Sequence, residues 1–276
     1  MTWLTFSHEA MATTFELSLA GVADRYARQA AGAAWRELDR LESELSRFVE
    51  SSDIARASRL APGQSIVIGD DATECLRLAA EWSAATARAF DPTYASTRDP
   101  ADAPDAPLFA LDPAAHTLTS LTAQLRLDLG AVGKGYALDR LAEVLREWDV
   151  ASACLQSGGS TVLALAPPPG ESGWPVALGE GPARTLVPLA HRAMSASGLA
   201  VQGRHLIDPR TGRPAARTAR VWSFAPTAAA ADALSTAFFV LTDAEVAAFC
   251  TAHPATAAVL TRPNGSLQWL AATSPA

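Results

Sequence analysis

Lysine is almost missing from this 276-residue chain: of 22 basic residues, Lys134 alone is not arginine. Acidic residues outnumber the basic ones, 29 to 22, and a formal net charge of −7 argues against nucleic acid or an anionic membrane as the main partner. Long apolar runs are missing as well; no stretch reaches the roughly 18 residues that a membrane span needs, so no membrane insertion is expected. The opening residues hold His8, Glu9 and Glu16 in place of a basic region and an apolar core. That excludes a signal peptide there and makes the cytoplasm the expected compartment, although a leader removed beforehand is compatible with the same sequence. Cysteine is scarce: Cys75, Cys154 and Cys250 are odd in number, far apart and without a CxxC. They exclude a disulfide frame or a thiolate zinc site and read as buried free thiols. No GxSxG elbow, HExxH pair or repeat period is present.

What is there suits a folded chain with a sizeable core, at 49% hydrophobic and 18% charged residues. TTFELSL at 13–19 alternates like a strand with one buried face. From Asp24 to about Leu45 the period turns helical, with Trp35, Leu38, Leu41 and Leu45 on one stripe. IVIG at 66–69 reads as a strand, and a second helix is expected from Asp71 to Ala89, stopped by Asp91-Pro92. Residues 98–115 read as a surface connection rich in Pro, Asp and Ala. Leu125–Leu129 reads as a strand, Tyr136–Trp148 as a helix and Ala153–Gln156 as another strand. Short strand signals then fill 161–225, helices take 229–241 and 243–250, and short strands finish the chain. Runs of strands beside runs of helices favour an α+β fold over a doubly wound sheet.

Three stretches carry possible chemistry. GAVGKG at 130–135 fails as a Walker loop, because only two residues separate Gly130 from Gly133 and Lys134 is followed by Gly135. It also fails as GxGxxG. Glycines ahead of a helix still allow backbone to approach a phosphate; the bland alternative is a tight turn with no ligand. Whether Lys134 meets phosphate is left open. In ADALSTAFFVL at 231–241, Asp232 and Thr236 stand four apart, so both oxygens share one helix face. A carboxylate beside a hydroxyl suits Mg²⁺, while an N-terminal Asp that merely favours the helix dipole accounts for the same pattern. HLIDPRTGRP at 205–214 is turn chemistry, and His205 within it is a weak general-base signal.

Singly these are slight, but their order is specific. MATTFEL, LSRF, AFDPT, LDLGAVGKGYALD, SGGS, SASG, HLIDPRTGRP and ADALSTA, in that sequence from Met11 to about Leu241, resemble the ApbE family of FAD:protein FMN transferases. The resemblance implies one α+β, T-fold-like flavin transferase domain over 1–276, with two lobes and a flavin cleft between them. It implies Mg²⁺ as cofactor, FAD as substrate, and transfer of FMN to a Thr or Ser hydroxyl in a motif of an acceptor protein, releasing AMP. The metal ligands it implies are Asp232, Thr236 and the carbonyl of Gly133, with Asp232 and His205 as the catalytic pair and His205 as the base. FAD would be held by Met11, Phe48, Ala89, Phe90, Asp91, Gly130, Lys134, Tyr136 and the backbone at Leu206, with Phe48 or Tyr136 against a ring. The chain departs from the family pattern at Ala12, where glycine is common, at Phe48, where tyrosine is common, and at Ser160, where the family has GGN. The lipoprotein cysteine of many relatives is also missing, and no metal ligand is lost. Two rival expectations remain: hydrolysis of FAD to FMN and AMP, and FAD binding without turnover.

Overall fold

The computed structural model describes residues 3–98, 103, 106–179, 184–198, 207–215, 220–262 and 264–270. In chain order the strands are β1 (Leu4–Ala10), β2 (Thr13–Leu19), β3 (Ser65–Val67), β4 (Phe109–Asp112), β5 (Thr117–Ser120), β6 (Ala153–Ser157), β7 (Thr161–Ala164), β8 (Trp174–Leu178), β9 (Thr185–Leu189), β10 (Arg192–Ser197), β11 (Ile207–Asp208), β12 (Arg213–Pro214), β13 (Val221–Ala225), β14 (Ala257–Thr261) and β15 (Leu267–Leu270). The helices are α1 (Asp24–Leu45), α2 (Asp53–Ala57), α3 (Asp70–Ala85), α4 (Gly133–Glu147), α5 (Ala228–Val240) and α6 (Asp243–Ala252).

Eight strands form one sheet in the order β1-β2-β6-β7-β10-β13-β14-β15, with every neighbouring pair antiparallel. A small sheet β3-β5-β4 and the hairpins β8-β9 and β11-β12 stand apart from it. An antiparallel sheet with its helices on one face is the α+β arrangement expected from the sequence. Period-2 alternation sorts the side chains. On the helical face, Phe15, Leu17, Leu163, Val221 and Leu260 join the core that α1, α4 and α5 cover. On the other face, Val162, Met194, Trp222, Phe224 and Val259 pack under the β8-β9 hairpin with Trp174 and Leu178. Each fully buried aromatic or aliphatic side chain contributes on the order of 2 kcal/mol.

α5 is apolar nearly all round and runs through the middle of the helical layer, against β10 and β13 on one side and α4 on the other. α1 buries a narrow stripe of Ala27, Ala30, Ala31 and Ala34 before Leu38 and Leu41, and these small residues let α4 approach closely. Among the described residues no helix is long and apolar enough to cross a membrane.

Several sequence boundaries shift. Leu125–Leu129 is extended, with Leu125, Leu127 and Leu129 buried in alternation, yet it joins no sheet. Its amides go elsewhere: Arg126 to Ser96 Oγ at 2.8 Å, Leu127 to Ser58 Oγ at 3.2 Å and Asp128 to the Pro92 carbonyl at 2.8 Å. Alternating burial therefore imitated a strand without pairing. α3 stops at Ala85 because Ala87 and Arg88 take left-handed φ of 48° and 62°. α4 begins at Gly133, so two of the three glycines, Gly133 and Gly135, lie inside its first turn. The connection at 98–115 contains strand β4.

Candidate functional site

A carboxylate in the middle of a helix buried on every side must find partners or stay neutral. Asp232 is that group, 5% exposed on α5. Its Oδ2 accepts the Gly135 N–H at 3.2 Å, and its Oδ1 lies 3.3 Å from Thr161 Oγ1 and 3.4 Å from Ser195 Oγ. Those hydroxyls belong to a buried network in which Ser195 reaches Thr161 at 2.9 Å and Ser235 at 3.3 Å, and Ser235 reaches Ser197 at 2.9 Å. The sheet thus floors the site with β-strand hydroxyls, all on the face turned to α5.

The first turn of α4 closes against this carboxylate. Lys134 Nζ stands 4.0 Å from Asp232 Oδ2 and donates to the Gly130 carbonyl. Gly135 serves packing: a Cβ there would fall 2.2 Å from the Ala228 carbonyl oxygen. The Gly130 N–H donates to Asp128 Oδ1 at 2.8 Å and the Gly133 N–H to the Leu129 carbonyl at 2.6 Å. All three glycine amides therefore have acceptors within the protein. The stretch 130–135 is a helix start locked by its own partners, in place of the open row of donors that a glycine-rich phosphate loop presents.

Two adjoining clefts open beside it. The larger, about 470 Å³, is lined by Met11, Glu42, Arg47, Phe48, Gly130, Gly133 and Lys134 among others. The smaller, about 270 Å³, has Ala89, Phe90, Asp91, Gly130 and Thr236 in its wall, with Tyr94 and Ile207. The two share Arg47, Asp128 and Gly130. Met11, Phe48, Ala89, Phe90, Asp91, Gly130, Gly133, Lys134 and Thr236, separated in sequence, thus meet at one surface, with Asp232 beneath it. His205 and Leu206 lie outside the described residues.

Tyr136 is the exception. It is 5% exposed and lines neither cleft; its hydroxyl donates to Asp71 Oδ1 at 2.6 Å. Burial alone would raise the Asp71 carboxyl, but hydrogen bonds from Tyr136 and Arg40 outweigh it and hold the group below its ordinary value. Tyr136 ties α4 to α3, and the aromatic in the wall of the larger cleft is Phe48, 78% exposed with the Arg47 guanidinium 4.8 Å from its ring centroid.

Arg47, Asp128 and Tyr94 were not singled out from the sequence. Arg47 pairs with Asp128 at 2.5 Å and Tyr94 donates to Asp128 at 3.2 Å. The first two stood inside the quoted LSRF and LDLG stretches, so the motifs carried the signal while the residue choice missed it. Met11 and Ala12 turn β1 into β2 with φ of 51° and 58°, and Met11 N–H donates to Glu42 Oε1 at 2.8 Å. Left-handed backbone at a non-glycine residue costs roughly 1 kcal/mol, so Ala12 strains a turn that glycine would enter freely. Asp91 is buried, accepting from Thr93 N–H at 2.8 Å and pairing with Arg88 at 2.7 Å, which fixes the AFDPT turn. Burial pushes the Cys75 thiol up and the Cys154 thiol to about 12, so neither is a nucleophile at neutral pH.

The donor set suits a hard cation. The Lys134 ammonium already sits where a carboxylate oxygen and a main-chain carbonyl converge. Among the described residues no group of three His, Cys, Asp or Glu could hold a metal. Mg²⁺ would therefore rely on one carboxylate with hydroxyl and carbonyl oxygens, and on substrate or water for the rest, a pattern this ion accepts.

Residues 11–260 match the model of the ApbE family. The FAD:protein FMN transferase of Klebsiella pneumoniae is 25% identical over 270 residues, covering 84% of this chain and 77% of that protein. The FAD:protein FMN transferase of Haemophilus influenzae is 30% identical over 140 residues, 45% of this chain and 40% of that protein, so this alignment spans less than half of the relative. The flavin transferase ApbE from Vibrio cholerae superposes with a TM-score of 0.83 at 18% identity, over 99% of this chain and 98% of that one, which is a likeness of fold.

Proposed function

The chain belongs to the ApbE family, and from that premise we propose that it transfers FMN from FAD to a Thr or Ser hydroxyl of an acceptor protein, releasing AMP. The observation that carries this is Asp232 of α5 seated against the first turn of α4, with Thr236 in the wall of the smaller cleft and Gly133 and Lys134 in the wall of the larger. The cytoplasm remains the expected compartment, supported by three unpaired cysteines.

Asp232, Thr236 and the Gly133 carbonyl are the residues proposed to hold Mg²⁺. When bound, the ion supplies neutralisation of charge on the pyrophosphate oxygens. The chain's own groups do the rest. Phe48 and Met11 offer an apolar wall to a flavin ring, while Arg47, fixed by Asp128, borders both clefts. Lys134 supplies a compact positive charge beside the diphosphate, and its flexible four-carbon stem leaves it free to move from Asp232 toward phosphate. The acceptor oxygen attacks the phosphorus of the FMN half in line. One O–P bond forms, the P–O bond to AMP breaks, and AMP leaves with the bonding electron pair. His205 is the proposed acceptor of the hydroxyl proton. Positioning and electrostatics carry most of such a step.

Incubating the protein with FAD, Mg²⁺ and a peptide bearing a D-x-x-[ST]-[GA]-[ST]-like stretch tests the proposal. Flavinylated peptide is the expected product. Free FMN and AMP with unmodified peptide would mean hydrolysis, and unchanged bound FAD would mean storage.

A further inference from the structure

Helices α4 and α5 are joined by two carboxylates, each serving the other helix. Asp139 of α4 accepts the N–H groups of Ala228 and Ala229, both at 2.8 Å, and these are the first two residues of α5. Asp232 of α5 accepts the N–H of Gly135 in the first turn of α4. Between these contacts the helices approach so closely that only glycine fits at 135. The caps leave these amides to the carboxylates: Val132 offers no side-chain cap to α4, and Thr227 caps α5 at Ala230 N–H, 3.3 Å away, without reaching Ala228 or Ala229. First-turn amides without partners are costly when buried, and a carboxylate is their strongest partner.

We propose that Asp139 is a positioning residue, whose carboxylate sets where α5 begins against α4 and so fixes Asp232 and Thr236 relative to the Gly133 carbonyl. The inference rests on those three residues holding the metal. A helix is stiff along its axis, at 1.5 Å of rise per residue, so a slip at Ala228 arrives undiminished one turn later at Asp232. Octahedral coordination tolerates little error in ligand spacing. Burial also raises the Asp139 carboxyl to about 6, despite the Ala229 and Ala228 amides that favour its anion. The ionised group is thus held where solvation alone disfavours it. Glu143 pushes in the same direction and Arg146 opposes.

Four variants decide the matter: Asp139→Ala, Asp139→Asn, Asp232→Ala, and Val246→Ala as a core-destabilised control in α6, away from both clefts. Two quantities are read: amide exchange across 226–234 in metal-free protein, and the Mg²⁺ concentration that half-saturates FAD turnover. For Asp139→Ala, exchange at Ala228 and Ala229 should quicken about tenfold or more, and the half-saturating Mg²⁺ should rise about 10- to 100-fold. Metal-free FAD binding should stay within about twofold. Asp139→Asn keeps one acceptor oxygen and should show a rise of about threefold. Val246→Ala should lower the melting temperature and leave the Mg²⁺ requirement unchanged. If Asp139→Ala quickens exchange but keeps the wild-type Mg²⁺ requirement, while Asp232→Ala abolishes Mg²⁺ dependence, the carboxylate is structural only and the proposal fails. If Asp232→Ala itself keeps wild-type Mg²⁺ dependence, the metal assignment fails and takes the proposal with it. Should Asp139→Ala not fold, an unchanged Mg²⁺ requirement in Asp139→Asn overturns the inference by itself.

Discussion

On strand β10, Met194 and Ala196 pack toward the β8-β9 hairpin, whereas Ser195 and Ser197 hydrogen-bond on the side of α5. Strands β7 and β13 repeat the division, with Val162 and Trp222 on one side and Thr161 and Ser223 on the other. Both faces are equally dry, so exposure does not explain why one is wholly apolar and the other sets hydroxyls among its apolar residues. The difference follows from what is laid across them. The hairpin brings Trp174, Val176 and Leu178, which need only shape. Helix α5 brings a carboxylate, which needs donors. The hairpin face carries apolar packing alone, whereas the helical face sets a hydroxyl cluster and a carboxylate into its core, and single substitutions can separate the two.

The largest expected effect is on the helical face. Asp232→Ala should lower Mg²⁺-dependent turnover by at least about a thousandfold, as loss of a central electrostatic group does, with the circular dichroism spectrum kept. A variant of wild-type activity would remove the distinction between the faces. On the opposite face, Trp174→Ala should cost about 3–5 kcal/mol in denaturant unfolding, through the cavity left beside Leu189 and Trp3. Its Mg²⁺ requirement should be unchanged wherever it is folded; a large shift there would show that the faces are coupled.

Asp139 gives a third, pH-dependent test. Burial raises its folded pKa to about 6 from 3.8, so between those values the folded chain holds the extra proton. The penalty of the ionised form is absent below about pH 4 and complete above about pH 6. The melting temperature of the wild type relative to Asp139→Asn should therefore fall by a few degrees as pH rises through that window. A difference that stays flat or rises would mean that the group is not buried in its charged form. The smallest effect belongs to Ser195→Ala, which removes one of the hydroxyls near Asp232. About 1 kcal/mol, or roughly a fivefold loss in kcat/KM, is expected, since Thr161 remains. The neighbouring Met194→Leu should leave kcat/KM unchanged, and equal losses from the two would contradict the division.

Much of this was legible in the sequence because alternation and helical period are local. TTFELSL became β2 within its stated bounds, and ADALSTAFFV became α5 with Asp232 and Thr236 on one helix. Leu125–Leu129 misled because alternating burial is a matter of packing, while strand pairing depends on a distant partner that never arrives. Tyr136 shows a related limit: nothing beside the glycines signals that its hydroxyl goes to Asp71, some 65 positions away. Asp139 reaches about 90 positions along the chain to Ala229, and no periodicity encodes that. The motif order named segments that meet at adjoining clefts, while which side chain of each segment lines them depends on three-dimensional neighbours.

The central claim is that α5, seated on the hydroxyl-lined face, holds the group that makes FMN transfer from FAD possible. Its most direct test is mass spectrometry of an acceptor peptide incubated with FAD and Mg²⁺ alongside wild-type protein or folded Asp232→Ala. The account predicts FMN mass on the peptide's Thr or Ser with the wild type and unmodified peptide with the variant. Equal modification by both proteins would contradict it.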